Sequence, residues 1–354
     1  MIEVKPLTDE TLSDAEQVIR HRFDASAISA LQKALKNPFR KNIETVGFVG
    51  YEDGEPVAFE AQMMRNVYLG RKQIIGRIGG LSCVKNRQHV EAFLDVRFTA
   101  DRNYRENSVS FGNTQIEETA NLAKRNKNAC IGPDSYSRVC WGVVHPVDSF
   151  LYAVRRKVLR LPIPRWKPFS TLDSNSFCMK RNNLSFKRLL QVVPDFFDVL
   201  MSEYLKTNEG LVSSRTAEEI EWAYGDRIRT GEDVLLAAHD NDRPVGYIIL
   251  RMLYGNRRAL VIDWFAMGND LKILEELLVI GKLYLKRHTP AMILEMVGFP
   301  TYVQPMIRKH LSHSRPIGHN MFSWGSKSYR DELLPIIDTP KSWFFGPYDG
   351  DAFM

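Results

Sequence analysis

The sequence predicts an α/β (α+β) protein of two similar units in tandem, each a mixed, largely antiparallel sheet flanked by helices. Three observations carry this expectation. Residues 51–63, YEDGEPVAFEAQM, are echoed 188 positions later by residues 239–252, HDNDRPVGYIILRM. In both, a polar pair that tolerates unusual backbone angles, Asp53-Gly54 or Asn241-Asp242, joins runs that favour strands, so each phrase reads as a β-hairpin. The periodic runs after the first hairpin recur in the same order after the second. Finally, 354 residues exceed one usual domain of roughly 100 to 200.

In the first unit, helical spacing over 11–19 and 27–35 precedes the hairpin, and a third strand follows at 73–84. A helix over 89–104, the short strand SVSFG, the helix TQIEETANLAKRN and a closing strand near Cys130 or over 136–144 complete it. The second unit repeats the order, with helices over 193–205 and 217–224, the hairpin 234–252, a strand at 260–267 and a helix over 270–287. Strand 291–296, helix 302–310 and a last strand near Met321 end it. Between the units, 149–161 has helical spacing with Leu151, Val154, Val158 and Leu161 on one side, until Pro162, Pro164 and Pro168 stop it. The expected units are therefore residues 1–165 and 172–354.

Composition narrows the function. With 44% hydrophobic and 25% charged residues the chain is an ordinary globular sequence. No apolar run approaches the roughly 18 residues of a membrane span, and the charged start lacks the apolar core of a secretory signal, so a cytoplasmic location is expected. Cys83, Cys130, Cys140 and Cys178 form no CxxC pair, which argues against a zinc ribbon or a disulfide scaffold. The net charge of +6 is diffuse, apart from RRKVLRLPIPRWK at 155–167, whose six cations face no acid. His310 and His313 lack the partners of a metal site, and no GxSxG elbow or phosphate-binding glycine loop is present, so no metal ligand is assigned.

The order of helices, three antiparallel strands, helix, strand, helix, strand resembles the GNAT superfamily of N-acetyltransferases. In that superfamily a Gln or Arg-x-x-Gly-x-Gly or Ala signature opens the helix after the fourth strand, where backbone N–H groups take the acyl-CoA pyrophosphate. The physical reason is general, since a helix start offers unsatisfied donors and partial positive charge to an anion. Here SCVKNRQHVEAFLD is the similar text. It aligns Arg87, Gln88, His89, Val90, Glu91 and Ala92, keeping the Arg and the final Ala but placing Val90 where glycine is expected. Asn113, after SFG, is similar to the superfamily's Asn following its next strand.

The resemblance implies an acyl-CoA cosubstrate, acetyl-CoA above all, with its pantetheine arm beside Leu81, Ser82, Cys83 and Val84. It implies transfer of the acyl group to a small amine, an amino sugar of surface-polysaccharide synthesis among the candidates. Glu60 is the candidate base, because it is the one charge in the apolar stretch AFEAQM, where burial would raise its pKa. Tyr104 or Tyr136 is the candidate proton donor to the leaving thiolate. Two alternatives stay open. One is a transferase of the related tandem type that uses aminoacyl-tRNA through the basic 155–167 segment, the only reading that calls for nucleic acid. The other is an inactive GNAT-fold binding module, favoured by Val90. The second unit lacks the signature, and Asp270 and Glu275 near its helix start would oppose an anion.

Overall fold

The repeated hairpins are built alike to the residue. The computed structural model describes residues 1–23, 25–40, 45–104, 108–112, 129–131, 138–160, 177–253, 257–297, 301–316, 323–325, 328–337 and 343–344. Strands β2 (Gly47–Glu52) and β3 (Glu55–Leu69) turn at Asp53-Gly54, with φ of 51° and 85°. Strands β11 (Asp233–Asp240) and β12 (Arg243–Leu253) turn at Asn241-Asp242, with φ of 46° and 68°. Two successive positive φ values define the tight turn whose twist suits a two-residue hairpin. Each hairpin also slips register at one step, between Gly50 and Tyr51 in the first and between Ala238 and His239 in the second. These are the same places in the repeat.

Around each hairpin grows a sheet. Among the described residues the first runs β1 (Ile2–Pro6), β2, β3, β4 (Lys72–Val84), β5 (Ser108–Gly112), β16 (Ser323–Gly325), β6 (Ala129–Ile131), and all its pairings on this path are antiparallel except β4 with β5. The second runs β15 (His313–Pro316), β7 (Arg138–Val143), β14 (Ile293–Val297), β13 (Arg258–Ala266), β12, β11, β9 (Leu184–Leu189), β8 (Cys178–Arg181), with β13 and β14 parallel. Both sheets therefore have the expected mixed, largely antiparallel form.

The sheets do not follow the order of the chain throughout. The strand expected to close the first sheet from 136–144 is β7, which lies in the second sheet between β14 and β15. Conversely β16, the expected last strand of the second sheet, sits between β5 and β6 of the first. Strand β10 (Leu211–Ser213) also joins the first sheet, against the far end of β3, with β17 (Trp343–Phe344) beside it. A short apolar strand satisfies its backbone equally well on either sheet, so packing decides. Val139 and Cys140 of β7 are buried, and Gly142 leaves room for Leu311, whose Cδ2 would lie 3.0 Å from an added Cβ.

Helices α1 (Leu12–Arg20) and α2 (Ala25–Leu35) cover one face of the first sheet, burying Val18, Ile19 and Leu31 with Val49, Phe59 and Ala61. Helix α3 (Val90–Tyr104) covers the other, placing Ala92, Val96 and Ala100 on Phe48, Ala58 and Met64. That face assignment follows from the period of two along β3. The second sheet packs on α5 (Pro194–Thr207) and α8 (Leu271–His288) through a larger core that includes Trp264, Phe197 and Tyr247. The short helices α6 (Ala217–Ile220) and α7 (Asp226–Arg229) come between these two in the chain and add Ile220 and Ile228 to the same core.

The linker helix differs from expectation. It starts at Pro146, because proline is preorganised for a first helical turn, and runs as α4 (Pro146–Ala153) into a π turn over Val154–Val158. Its apolar side is turned outward rather than onto the core. Leu161 and the prolines at 162, 164 and 168 lie outside the described residues. The hairpin β8–β9, with φ of 47° and 65° at Asn182-Asn183, and strand β1 are additions to the predicted elements.

Candidate active site

An opening in the first sheet organises the candidate site. Among the described residues, strand β4 pairs with β5 only from Ile75 to Ile78, against Ser108 to Phe111. Beyond Ile78, β4 runs on to Val84 with its other edge still paired to β3. Gly79, Gly80, Leu81, Ser82, Cys83 and Val84 thus form a strand edge released from its parallel neighbour. The β3–β4 ladder is irregular here, since Ala61 pairs with Gly80 but Phe59 pairs with Cys83, and Leu81 takes a φ of 53°. Such a bulge re-aims backbone groups beside a site.

Glu60 lies in that irregular step and is 1% exposed. Its Oε1 accepts from Gln62 Nε2 at 2.5 Å, while Oε2 accepts no hydrogen bond from the described residues and has the Arg97 guanidinium 3.9 Å away. Burial pushes its carboxyl above the usual range, with Arg97 acting in the opposite direction. The carboxylate stands next to the released edge: a Cβ added to Gly79 would sit 3.1 Å from Glu60 Oε1. A side chain there would crowd the carboxylate. Arg77, on β4, pairs with Asp101 of α3 at 2.9 Å, and both charges act on the Glu60 carboxyl.

The start of α3 is the predicted anion site. Asn86 caps the turn Arg87–His89 by accepting from Gln88 N at 3.0 Å. His89 is tied through Nδ1 to the Glu52 carboxylate. Arg87, Gln88, Val90 and Glu91 are exposed, Val90 by 49%, and Ala92 is buried against the sheet. The helix start is therefore open to solvent, but it is narrowed by a valine and faces one carboxylate in its first turn. Cys83 is buried, and burial pushes its thiol up to about 12, which makes it a packing residue rather than a nucleophile. Tyr104 closes α3. Asn113 and Tyr136 lie outside the described residues.

Among the described residues the second sheet parts in the same manner, with β13 and β14 paired only over Arg258–Val261 against Ile293–Met296. Its polar content is different. Asp263, fully buried, accepts from Arg215 Nη2 at 3.2 Å and from the Tyr247 hydroxyl. At the start of α8, Asp270 caps its own helix by accepting from Lys272 N at 2.7 Å. That arrangement is closed to an anion. Among the described residues no three His, Cys, Asp or Glu side chains converge as metal ligands, and His310 is held by Glu275 at 2.7 Å.

Sequence reading found Glu60 but not Gln62, Arg77, Arg97 and Asp101 around it. Gln62 was legible from the period of two in β3, which gives it Glu60's face. Arg97 and Asp101 are four apart and share a helix face, a pattern that reads equally as a solvated surface.

No protein-family model and no curated protein sequence matches the chain. Solved structures do. A GCN5-related N-acetyltransferase from Anabaena variabilis is 11% identical, over 92% of this chain and 72% of that one, with a TM-score of 0.55. A probable N-acyltransferase from Enterococcus faecalis is 10% identical over 91% and 72%, with a TM-score of 0.56. The N-myristoyltransferase of Saccharomyces cerevisiae with bound myristoyl-CoA is 12% identical over 92% and 79%, with a TM-score of 0.51. At 10–12% identity these likenesses are ones of fold, and the fold is that of the GNAT structures, here with two mixed sheets whose parallel strands part in the same manner.

Proposed function

We propose that the chain is an acyl-CoA-dependent N-acyltransferase working at the opening of the first sheet, with acetyl-CoA as donor and a small amine, such as an amino sugar, as acceptor. The observation that carries this reading is a buried carboxylate with an open lone pair beside a strand edge released from its neighbour. In the proposed roles, Leu81, Ser82, Cys83 and Val84 flank the pantetheine arm, and the start of α3 from Arg87 to Ala92, with Asn113, meets the cofactor's polar end. A backbone N–H of the free β4 edge would polarise the thioester carbonyl.

Glu60 accepts the proton of the attacking amine, a task suited to a carboxylate whose basicity burial has raised. The amine nitrogen bonds to the carbonyl carbon, the carbon–sulfur bond breaks, and the thiolate takes a proton from Tyr104 or Tyr136. The two units proposed, 1–165 and 172–354, would act as one body through their exchanged strands. Calorimetric titration with acetyl-CoA, followed by transfer assays on amines and amino sugars, tests the reading. An affinity that falls when Val90 is replaced by Asp supports it, and no binding at millimolar acetyl-CoA overturns it.

One observation favours the binding module without turnover as a second reading. Asn86 already satisfies the Gln88 N–H, and Glu91 adds negative charge beside the anion position.

A further inference from the structure

The linker helix is turned inside out. Along α4 and its π continuation, helical spacing gathers Val147, Phe150, Leu151 and Val158 on one side and Ser149 and Tyr152 on the other. Soluble helices bury the apolar stripe. Here the polar side makes the attachments: the Ser149 hydroxyl donates to the Met292 carbonyl at 3.4 Å, and the Arg257 guanidinium lies 5.0 Å from the centre of the Tyr152 ring. The helix entrance is pinned likewise, His145 Nε2 donating to the Thr289 carbonyl at 3.1 Å. The apolar side faces water, with Val147, Phe150, Leu151 and Val158 exposed by 70, 67, 57 and 71%.

Charge is distributed to match. Arg155 and Lys157 fall on either side of the apolar ridge, and Arg156 and Arg160 follow; all four are exposed. Asp148 is the one carboxylate between residues 146 and 160, and it lies 3.8 Å from His145 Nδ1. A convex ridge of aliphatic and aromatic side chains, flanked on both sides by long cationic ones, is the surface of a helix that lies in a bilayer interface. The apolar groups enter the acyl boundary while the cations reach back to phosphates. No described helix is long and apolar enough to cross a membrane, and an interfacial helix need not be.

We propose that this face docks the protein on an anionic lipid surface. The flanking charge selects lipid over an apolar protein groove, since Lys157 and Arg160 are exposed and would be desolvated in such a groove without counter-charge, whereas headgroups supply it in the plane of the ridge.

The test is cosedimentation of the full chain with vesicles of phosphatidylcholine containing about one third phosphatidylglycerol, against phosphatidylcholine alone. The expected result is binding to the anionic vesicles that weakens at high salt and falls by at least about tenfold in Phe150→Ser/Leu151→Ser and in Arg155→Glu/Lys157→Glu. Both pairs are exposed, so circular dichroism and acetyl-CoA binding should match wild type; a variant that unfolds is replaced by Phe150→Trp, whose fluorescence should shift to the blue on anionic vesicles. Equal binding to neutral vesicles, wild-type binding by both double variants, or no binding at all overturns the proposal. So does a wild-type oligomer that the serine pair dissociates, which would assign the ridge to a protein contact.

Discussion

Glu219, on α6, joins the two sheets, and replacing it by glutamine should raise stability at neutral pH. Its Oε1 accepts the backbone N–H of Asn66, on β3 of the first sheet, at 3.0 Å, and the residue is fully buried. Burial lifts the carboxyl from 4.5 to about 8, against the pull of the Asn66 N–H and of Arg65. A group whose folded pKa is raised binds more protons in the native state than in the unfolded one. Its stabilising contribution is therefore complete below pH 4.5 and is lost progressively as pH rises to about 8.

At pH 7 the pH lies about 2.5 units above the unfolded value, and at 1.36 kcal/mol per unit the loss is about 3 kcal/mol. A glutamine side chain at this position would keep the carbonyl acceptor for Asn66 and would not titrate. The difference in unfolding free energy, Glu219→Gln minus wild type, should thus grow by about 3 kcal/mol between pH 4.5 and 7 and level off above pH 8. Urea unfolding of both proteins at half-unit steps from pH 4.5 to 8.5 measures it. Parallel stability curves would refute the reasoning, because they would mean that Glu219 carries the same charge folded and unfolded.

Four further outcomes follow from the two openings and the exchanged strands. Glu60→Gln should lower acyl transfer by about 10²–10⁴-fold while acetyl-CoA affinity in calorimetry stays near wild type, if Glu60 is the base as proposed and its unpartnered Oε2 takes the proton. Val90→Gly should tighten acetyl-CoA binding and Val90→Asp should weaken it by at least ~1 kcal/mol, read in the same titration; an unchanged affinity in both would move the pyrophosphate elsewhere. Asp263→Ala should cost about 3–5 kcal/mol in urea unfolding, because it leaves the Arg215 guanidinium buried without its carboxylate. A fragment of residues 1–165 should show no cooperative unfolding transition, since it lacks β16 and β10 and exposes both edges of β7; a sharp transition would show that the first unit closes without its partner.

How much of this fold the sequence discloses depends on the range of the interaction. The hairpins are legible because their determinants are local: Asp53-Gly54 and Asn241-Asp242 set the turn, and the turn sets the register of the strands beside it. The exchange of β7 and β16 is not legible. Residues 138–143 alternate well enough to make a strand, but nothing in RVCWGV says which sheet will accept it. That choice rests on contacts such as Gly142 with Leu311, residues far apart in the chain. The linker helix misled for a related reason: periodicity reveals that an apolar face exists, not that the fold will cover it.

The same limit separates the two openings, which share a frame and differ in chemistry. Both arise where a parallel pair stops pairing, after Ile78 and after Val261, and each has a buried carboxylate close by. Each is a lone acid in an apolar strand, although the sequence reading gave a role to Glu60 alone. Their surroundings decide what each can do. Asp263 accepts from a guanidinium and a hydroxyl, so protonating it would break a satisfied buried pair, and it serves as a tie for Arg215 and Tyr247. Glu60 has one oxygen held by Gln62 and the other open, with a guanidinium at 3.9 Å, too far for a hydrogen bond but near enough to support the ionised form. A carboxylate so placed can take a proton without dismantling its setting. The two openings thus share a frame, while one holds a carboxylate free to take a proton and the other holds its acid in a structural pair.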